Sequence, residues 1–268
     1  MLKADFTIKI YRELLLTLQS AGYEFFTFAD WCEGKAAEVE KYIILRHDID
    51  KLPGHALRIA RVEAAMKIQA TYYWLTRKPV FHPVVIRKII SMGHEIGYHY
   101  RDWVDAHGNV EKALELFQLN MTKLGAVSEI KTISMDGCPW SKYNNLDMWH
   151  HYDYRSFGII GEPYFDIFGA GQKKTVKDVF YLTDTGRMWN GDRFSIRDKV
   201  AVNQLLSYKS TYELIDAAGK GLLPNKIMIT THPQRWSAHY VEWLYEFLMQ
   251  GSKNLIKWLL VKIRFWCG

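Results

Sequence analysis

Residues 42–50 read Tyr-Ile-Ile-Leu-Arg-His-Asp-Ile-Asp, an apolar run that ends in a cluster of polar side chains. A short, uninterrupted apolar run of this kind is typical of a strand that is buried on both faces of a parallel sheet. His47, Asp48 and Asp50 follow the predicted strand 42–46. Because functional groups collect where the strands of parallel α/β folds end, these side chains are the first candidates for a functional site.

Predicted strands and helices alternate on both sides of this stretch. Further strands are predicted at 70–75, 95–100, 131–135, 179–183 and 226–231, with shorter candidates at 157–160 and 164–168. Helices are predicted at about 7–20, 54–67, 83–92, 110–124, 211–218, 239–249 and 254–265. This alternation favours parallel βα units. Since no low-complexity linker or repeat divides the chain, we predict one α/β domain over 1–268. A barrel-like sheet is our first choice, and a doubly wound open sheet is the alternative.

The composition is that of an ordinary folded protein. Of the 268 residues, 49% are apolar and 24% are charged, which excludes a disordered chain, a collagen-like chain and a disulfide-rich miniprotein. The three cysteines show no CxxC spacing, so a structural zinc knuckle is not expected. Lys and Arg outnumber Asp and Glu by 35 to 29 without clustered runs, and we therefore expect no nucleic-acid partner.

The two ends of the sequence bear on location. The N-terminal segment carries Asp5 and Glu13 and lacks the apolar stretch of a signal peptide, so a cytoplasmic location is expected. The C-terminal helices, at about 239–266, are expected to pack on the barrel. The last of them, at 253–266, combines an apolar stripe with Lys253 and Lys257 on another side. We expect this last helix to make at most a weak peripheral membrane contact.

Polar residues recur where the other predicted strands end. These residues include His99, Asp136, Arg187, His232 and Arg235. Asp and His side chains are ligands for a divalent ion whose open position takes a water molecule. A second carboxylate can accept a proton from that water, and a His can return a proton to the leaving group. The pattern therefore indicates a hydrolytic metal site.

Three motifs extend this reading. They are Leu45-Arg-His-Asp-Ile-Asp50, Gly93-His-Glu-Ile-Gly-Tyr-His99 and Thr231-His-Pro233. Together they resemble the polysaccharide deacetylase family (NodB-homology domain, carbohydrate esterase family four), in the branch with an Arg-His-Asp-Val/Ile-Asp motif. The similarity covers about residues 42–236. It implies a distorted (β/α) barrel of about seven strands. It also implies a metal-dependent hydrolase of carbon–nitrogen bonds that removes N-acyl groups, chiefly acetyl, from amino sugars in polysaccharide or glycoconjugate biosynthesis.

The resemblance also implies roles for individual residues. Asp48 matches the catalytic base, and His232 matches the general acid. Asp50 and His99 match metal ligands. His94, in contrast, lies in a segment that begins a strand in the family, and we expect no ligand role for it. His47 is likewise expected to make a hydrogen bond within the barrel.

The motifs depart from the family at two positions. Trp103 stands where the family has its second metal-binding His, and Asp136 stands where this branch commonly has a His. Asp136 completes an alternative ligand set with Asp50 and His99. Zinc is the first choice of metal, and manganese or magnesium are alternatives because the set is harder and more anionic. The same departures leave a second function open, a non-catalytic carbohydrate-binding protein on this fold.

Arginine and tryptophan residues near the predicted strand ends are candidates for binding the carbohydrate. The candidates are Trp103, Arg187, Trp189 and Arg235. Because planar guanidinium groups suit phosphate, the substrate class includes nucleotide-linked and lipid-linked sugars.

Overall fold

Seven parallel strands form one sheet that curls into a half-barrel, with helices packed around it. The computed structural model describes residues 4–170, 178–189 and 208–251. The strands are β1 (Glu24–Phe26), β2 (Tyr42–Ile49), β3 (Thr71–Trp74), β4 (Glu95–Tyr100), β5 (Ile133–Met135), β6 (Phe180–Thr183) and β7 (Lys226–Thr231). They lie in the order β5-β4-β3-β2-β7-β6, and β1 pairs with the first half of β2. The predicted single-domain α/β barrel is therefore confirmed.

The helices connect successive strands. They are α1 (Ile8–Ser20), α2 (Phe28–Cys32), α3 (Pro53–Ala65), α4 (Pro83–Ile90), α5 (Asp102–Asp105), α6 (Val110–Gly125), α7 (Pro163–Asp166) and α8 (Thr211–Gly219). A further helix covers 240–251. Short 3₁₀ helices occur at Asn145–His150, Tyr154–Phe157, Thr185–Arg187 and Pro233–Arg235. In the described part of the chain, no helix is long and apolar enough to cross a membrane.

The central strand β2 places its polar side chains on two different faces of the sheet. All eight of its residues are buried. Side chains alternate between the two faces of a strand. Arg46 and Asp48 share the inner face and contact each other, whereas His47 lies on the helix-covered face beside Glu63 of α3. The polar residues on the inner face of β2 therefore lie inside the half-barrel.

One apolar core holds these elements together. Its buried side chains run from Phe6 to Trp236 and include every strand of the main sheet path. Ile43, Ile44 and Leu45 are fully buried in β2, and burial of each such side chain contributes about 1.5–3 kcal/mol.

The prediction of strands at 157–160 and 164–168 is wrong. The first range follows the 3₁₀ helix Tyr154–Phe157, and the second lies largely in and after α7. Aromatic and apolar residues suggested strands, but local capping decides the structure. The Asp153 side chain accepts the Arg155 backbone N–H, and the Glu162 side chain accepts two N–H groups at the start of α7, as helix N-caps do.

Two further differences concern β1 with α2 and the length of β2. The sequence pattern does not predict β1 and α2, although Thr27 caps α2 through its hydroxyl. It placed the end of β2 at residue 46, three residues too early. The predicted helix at 254–265 lies outside the described residues.

Candidate active site

The half-barrel opens into a cavity of about 650 Å³ where β2, β4, β5 and β7 end. Six of the nine predicted site residues line this cavity, namely Asp48, Asp50, His99, Asp136, His232 and Arg235. The convergence expected from strand ends in the sequence is therefore present in the fold.

Asp48 is held in place by a neighbour on its own strand. The Arg46 guanidinium donates to both carboxylate oxygens of Asp48, at 2.6 and 2.8 Å. Arg46 is fully buried, and its guanidinium lies 4.7 Å from the centre of the Tyr73 ring. This packing fixes the guanidinium, and the two hydrogen bonds that it donates hold the Asp48 carboxylate in one orientation at the cavity wall.

Asp50 lies between two histidines. Its Oδ1 is 3.6 Å from His99 Nε2, and its Oδ2 is 3.9 Å from His232 Nε2. The Gln234 amide donates to Oδ2 at 3.2 Å. Both imidazole rings therefore direct Nε2 towards the Asp50 carboxylate.

The His99 ring is oriented by a hydrogen bond to the backbone of β5. Its Nδ1 donates to the carbonyl oxygen of Ser134 at 3.0 Å, which directs Nε2 towards Asp50. Burial by itself lowers the pKa of His99, but the nearby Asp48, Asp50 and Asp136 carboxylates outweigh burial and raise the pKa to about 9. Nε2 is the atom that a metal ion would contact in this arrangement.

His232 is oriented by a buried carboxylate. Its Nδ1 lies 2.6 Å from Asp184 Oδ1, and its backbone N–H donates to Asp184 Oδ2 at 3.0 Å. Arg235 and the indole N–H of Trp236 also donate to the Asp184 carboxylate. Burial raises the pKa of Asp184, but Arg235 and His232 outweigh that effect and lower it below its ordinary value. The Asp184 carboxylate thus fixes the orientation of the His232 ring and directs Nε2 towards Asp50.

The sequence analysis did not assign this orienting role to Asp184. The residue follows β6 directly, which is the same signal that identified the other site residues. The orienting role of Arg46 was also missed, although it stands two positions before Asp48 on one strand and period-two spacing places the pair on one face.

Asp136 has other partners. The Arg101 guanidinium donates to Asp136 Oδ2 at 3.4 Å, and the Cys138 backbone N–H donates to Oδ1 at 3.0 Å. Across residues 4–170, 178–189 and 208–251, no group of three or more His, Cys, Asp or Glu side chains is placed to hold a metal ion. The structure brings Asp50 and His99 together, whereas the Asp136 carboxylate contacts Arg101. The ligand set of Asp50, His99 and Asp136 stays a prediction.

Three predicted carbohydrate-binding residues do not line the cavity. Arg187 donates to two backbone carbonyl groups and lies over the Phe6 ring. Trp189 is buried, and its indole N–H donates to Thr211. Trp103 stacks on His151, with ring centres 5.3 Å apart. Sequence spacing shows which strand a residue follows but not which way its side chain turns, and a role of these three residues in binding carbohydrate stays a prediction.

Other residues of the cavity were not predicted. Trp140, in the loop after β5, lines the cavity while 63% of the residue stays exposed. Lys51, Arg77 and Arg101 add positive charge to the wall. An exposed indole suits the flat face of a sugar ring, and the cations suit an anionic substituent.

The hydrogen bond predicted for His47 within the barrel is confirmed, and His94 is buried as well. His47 is buried beside Thr231 and Glu63. His94 accepts the Ala70 backbone N–H and lies against the carbonyl oxygen of Ala60. Both rings are enclosed by the sheet and α3, away from the cavity.

The chain is similar in fold to several solved structures. One is a CE4 family pseudoenzyme from Bacillus anthracis, with 10% identity, a TM-score of 0.45 and coverage of 80% of this chain and 62% of that one. A family 4 carbohydrate esterase from Streptomyces lividans in complex with acetate has 11% identity, a TM-score of 0.43 and coverage of 80% and 90%. The peptidoglycan deacetylase PdaC from Bacillus subtilis has 15% identity, a TM-score of 0.38 and coverage of 81% and 96%.

The chain spans less than two thirds of the length of the Bacillus anthracis structure. No protein-family model and no curated protein matches the chain.

Proposed function

We propose that this protein hydrolyses the N-acyl group, chiefly acetyl, of an amino sugar during polysaccharide or glycoconjugate biosynthesis. The observation that carries the proposal is a pair of oriented catalytic groups in one cavity. Asp48 is held by buried Arg46, and His232 is held by buried Asp184. A site that only binds sugar needs no such acid–base pair.

Each residue has a defined step in this reaction. An Asp48 oxygen accepts a proton from water as the water oxygen bonds to the amide carbonyl carbon. The carbon–nitrogen bond then breaks while protonated His232 donates its Nε2 proton to the leaving nitrogen. The Asp184 carboxylate, at Nδ1, orients the ring for this donation. The products are a carboxylate and a free amino sugar.

A divalent ion is part of the proposal, with zinc as the first choice and manganese or magnesium as alternatives. Asp50 and His99 are its proposed protein ligands, because their donor atoms face each other at 3.6 Å. Water would fill the remaining positions around the ion. A harder ion that keeps several waters needs fewer protein ligands. None of the steps above is assigned to the ion.

The proposed substrate is a carbohydrate that carries negative charge, such as a nucleotide-linked or lipid-linked sugar. Trp140 offers a stacking surface, and Lys51 and Arg77 stand at the cavity wall. We also propose a cytoplasmic site of action, where such linked intermediates are made available to a biosynthetic enzyme.

A second candidate function is carbohydrate binding without catalysis. The observation that favours it is the contact of Arg101 with Asp136, since a guanidinium stands beside the carboxylate that would be the third ligand. A cation at this position opposes the binding of a metal ion.

Acetate release and metal content together test the two candidates. The purified protein is incubated with N-acetylglucosamine oligomers and with a nucleoside-diphosphate-linked N-acetyl sugar, with and without zinc, manganese or magnesium. The hydrolase predicts acetate and free amine in equal amounts. The binding protein predicts saturable binding of the same compounds with no acetate. Asp50→Ala and His99→Ala should each lower the bound metal, and unchanged metal content in both variants would refute the proposed ligands.

A further inference from the structure

In the helix over 240–251, polar side chains are buried and large apolar side chains are exposed. Glu246 and Gln250 are buried and line the cavity. On the outside, Tyr240 is 70% exposed, Val241 is 78% exposed and Tyr245 is 65% exposed. A surface helix of a folded domain ordinarily turns its apolar residues inward and its polar residues to water. The apolar side of this helix therefore has a use other than packing against the barrel.

The exposed apolar side chains are concentrated on this helix. Of the fourteen large hydrophobic residues that are exposed in the described part of the chain, seven lie within 240–251. They are Tyr240, Val241, Leu244, Tyr245, Phe247, Leu248 and Met249. Contiguous exposed apolar surface of this kind marks an interaction site with a protein or a membrane.

The charge of the adjoining sequence distinguishes between a membrane and a second copy of the chain as the partner of this surface. Residues 252–268 contain Lys253, Lys257, Lys262 and Arg264 but no Asp or Glu. They also contain Trp258. Basic, apolar and aromatic residues together are the composition that binds the surface of an anionic bilayer. A second copy of the chain would present the same cations and therefore lacks the complementary charge.

We propose that the outer face of the 240–251 helix, here called the docking face, binds the surface of an anionic phospholipid bilayer. The aromatic residues Tyr240 and Tyr245 suit the interfacial layer, where an apolar ring is buried and a polar end stays wet. Because Glu246 and Gln250 of the same helix line the cavity, the bound protein holds the cavity beside the membrane surface. This contact is stronger than the weak peripheral one expected from the sequence alone.

Vesicle co-sedimentation of the full chain tests the proposal. The vesicles contain phosphatidylcholine alone or phosphatidylcholine with phosphatidylglycerol. The full chain should bind the mixed vesicles, and added salt should weaken that binding because the surface potential is screened. The double variant Val241→Gln/Tyr245→Gln should lower the partition coefficient by about tenfold or more, since two apolar side chains lose their burial in lipid.

A matched variant controls for general loss of surface hydrophobicity. Leu119→Gln/Leu222→Gln changes two equally exposed residues outside the docking face and should bind vesicles like the unmodified chain. Thermal unfolding of both variants should match the unmodified chain, because all four positions are exposed.

Three results would overturn the proposal. The first is a full chain that stays in the supernatant with the mixed vesicles. The second is vesicle binding that Val241→Gln/Tyr245→Gln leaves unchanged. The third is a dimer, detected by light scattering without lipid, that the same variant dissociates, because the docking face would then bind a second copy.

Discussion

Replacing Asp184 with asparagine should destabilise the protein strongly, because this residue is the shared acceptor of a buried network. Its carboxylate accepts hydrogen bonds from His232, Arg235 and Trp236, and it is fully buried. An amide at this position keeps one acceptor oxygen but presents an NH₂ group to donors. It also leaves the Arg235 guanidinium without its counter-ion at the edge of the core.

The expected magnitude follows from the type of loss. Breaking a buried ion pair by removing one partner costs about 3–5 kcal/mol. Because a domain of this size is stable by about 5–15 kcal/mol, the loss is a large share of the total. Urea unfolding, followed by tryptophan fluorescence, should show it at neutral pH. The low pKa of Asp184 stabilises the fold above about pH 4, and this contribution is lost as the pH falls through the folded-state pKa. The difference between Asp184→Asn and the unmodified protein should therefore narrow in acid.

The same substitution at the surface is the control. Asp216 and Lys220 form an exposed ion pair, and Asp216→Asn should change stability by about 1 kcal/mol or less. The network would be disproved as a source of stability if the two substitutions had equal effects. Adding Arg235→Met to Asp184→Asn should recover part of the loss, since the uncompensated cation is removed.

Two further predictions concern stability. Gly97→Ala should lower it by about 1–3 kcal/mol, because an added Cβ would overlap the Tyr73 ring and lie 3.0 Å from the Thr132 carbonyl oxygen; thermal unfolding measures this, and Gly125→Ala, where nothing lies within 4 Å, is the matched control. Burial raises the pKa of Glu162 to about 7, so its protonated form favours the folded state, and its contribution of about 3 kcal/mol is present below about pH 4 and lost as the pH rises to about 7. Glu162→Gln should flatten this part of the stability profile measured by urea unfolding, and an unchanged profile would contradict the raised pKa.

The sequence predicts much of the fold because two signals agree there. The run at 42–45 is apolar on every residue, and the alternation of strands with helices leaves few alternatives to a parallel α/β sheet. These signals fail where capping competes with apolar composition. The aromatic run at 164–168 resembles a strand, but Glu162 and Pro163 begin a helix there.

The sequence predicts which strand ends contribute residues to the site. It does not predict the contacts that those residues make. Asp48, Asp50, His99 and His232 reach one cavity as expected. The partners that orient them depend on packing, however. The turn at Thr185–Arg187, in which Arg187 has a φ of 60°, directs its guanidinium to backbone carbonyls instead of the cavity. Spacing alone contains no information about such a turn.

Turnover by Asp48→Asn tests the central claim most directly. The substitution removes the proton acceptor and keeps the size of the side chain. It also takes the counter-ion from the buried Arg46 guanidinium and should lower stability by about 3–5 kcal/mol. The variant is therefore assayed under conditions in which circular dichroism shows it to be folded. On the compound that the unmodified protein hydrolyses fastest, we expect kcat to fall by about 10²–10⁴-fold, with the dissociation constant of that compound nearly unchanged. A variant that binds the sugar and releases acetate at the rate of the unmodified protein would contradict the assignment of Asp48 as the base and, with it, the proposed hydrolytic site.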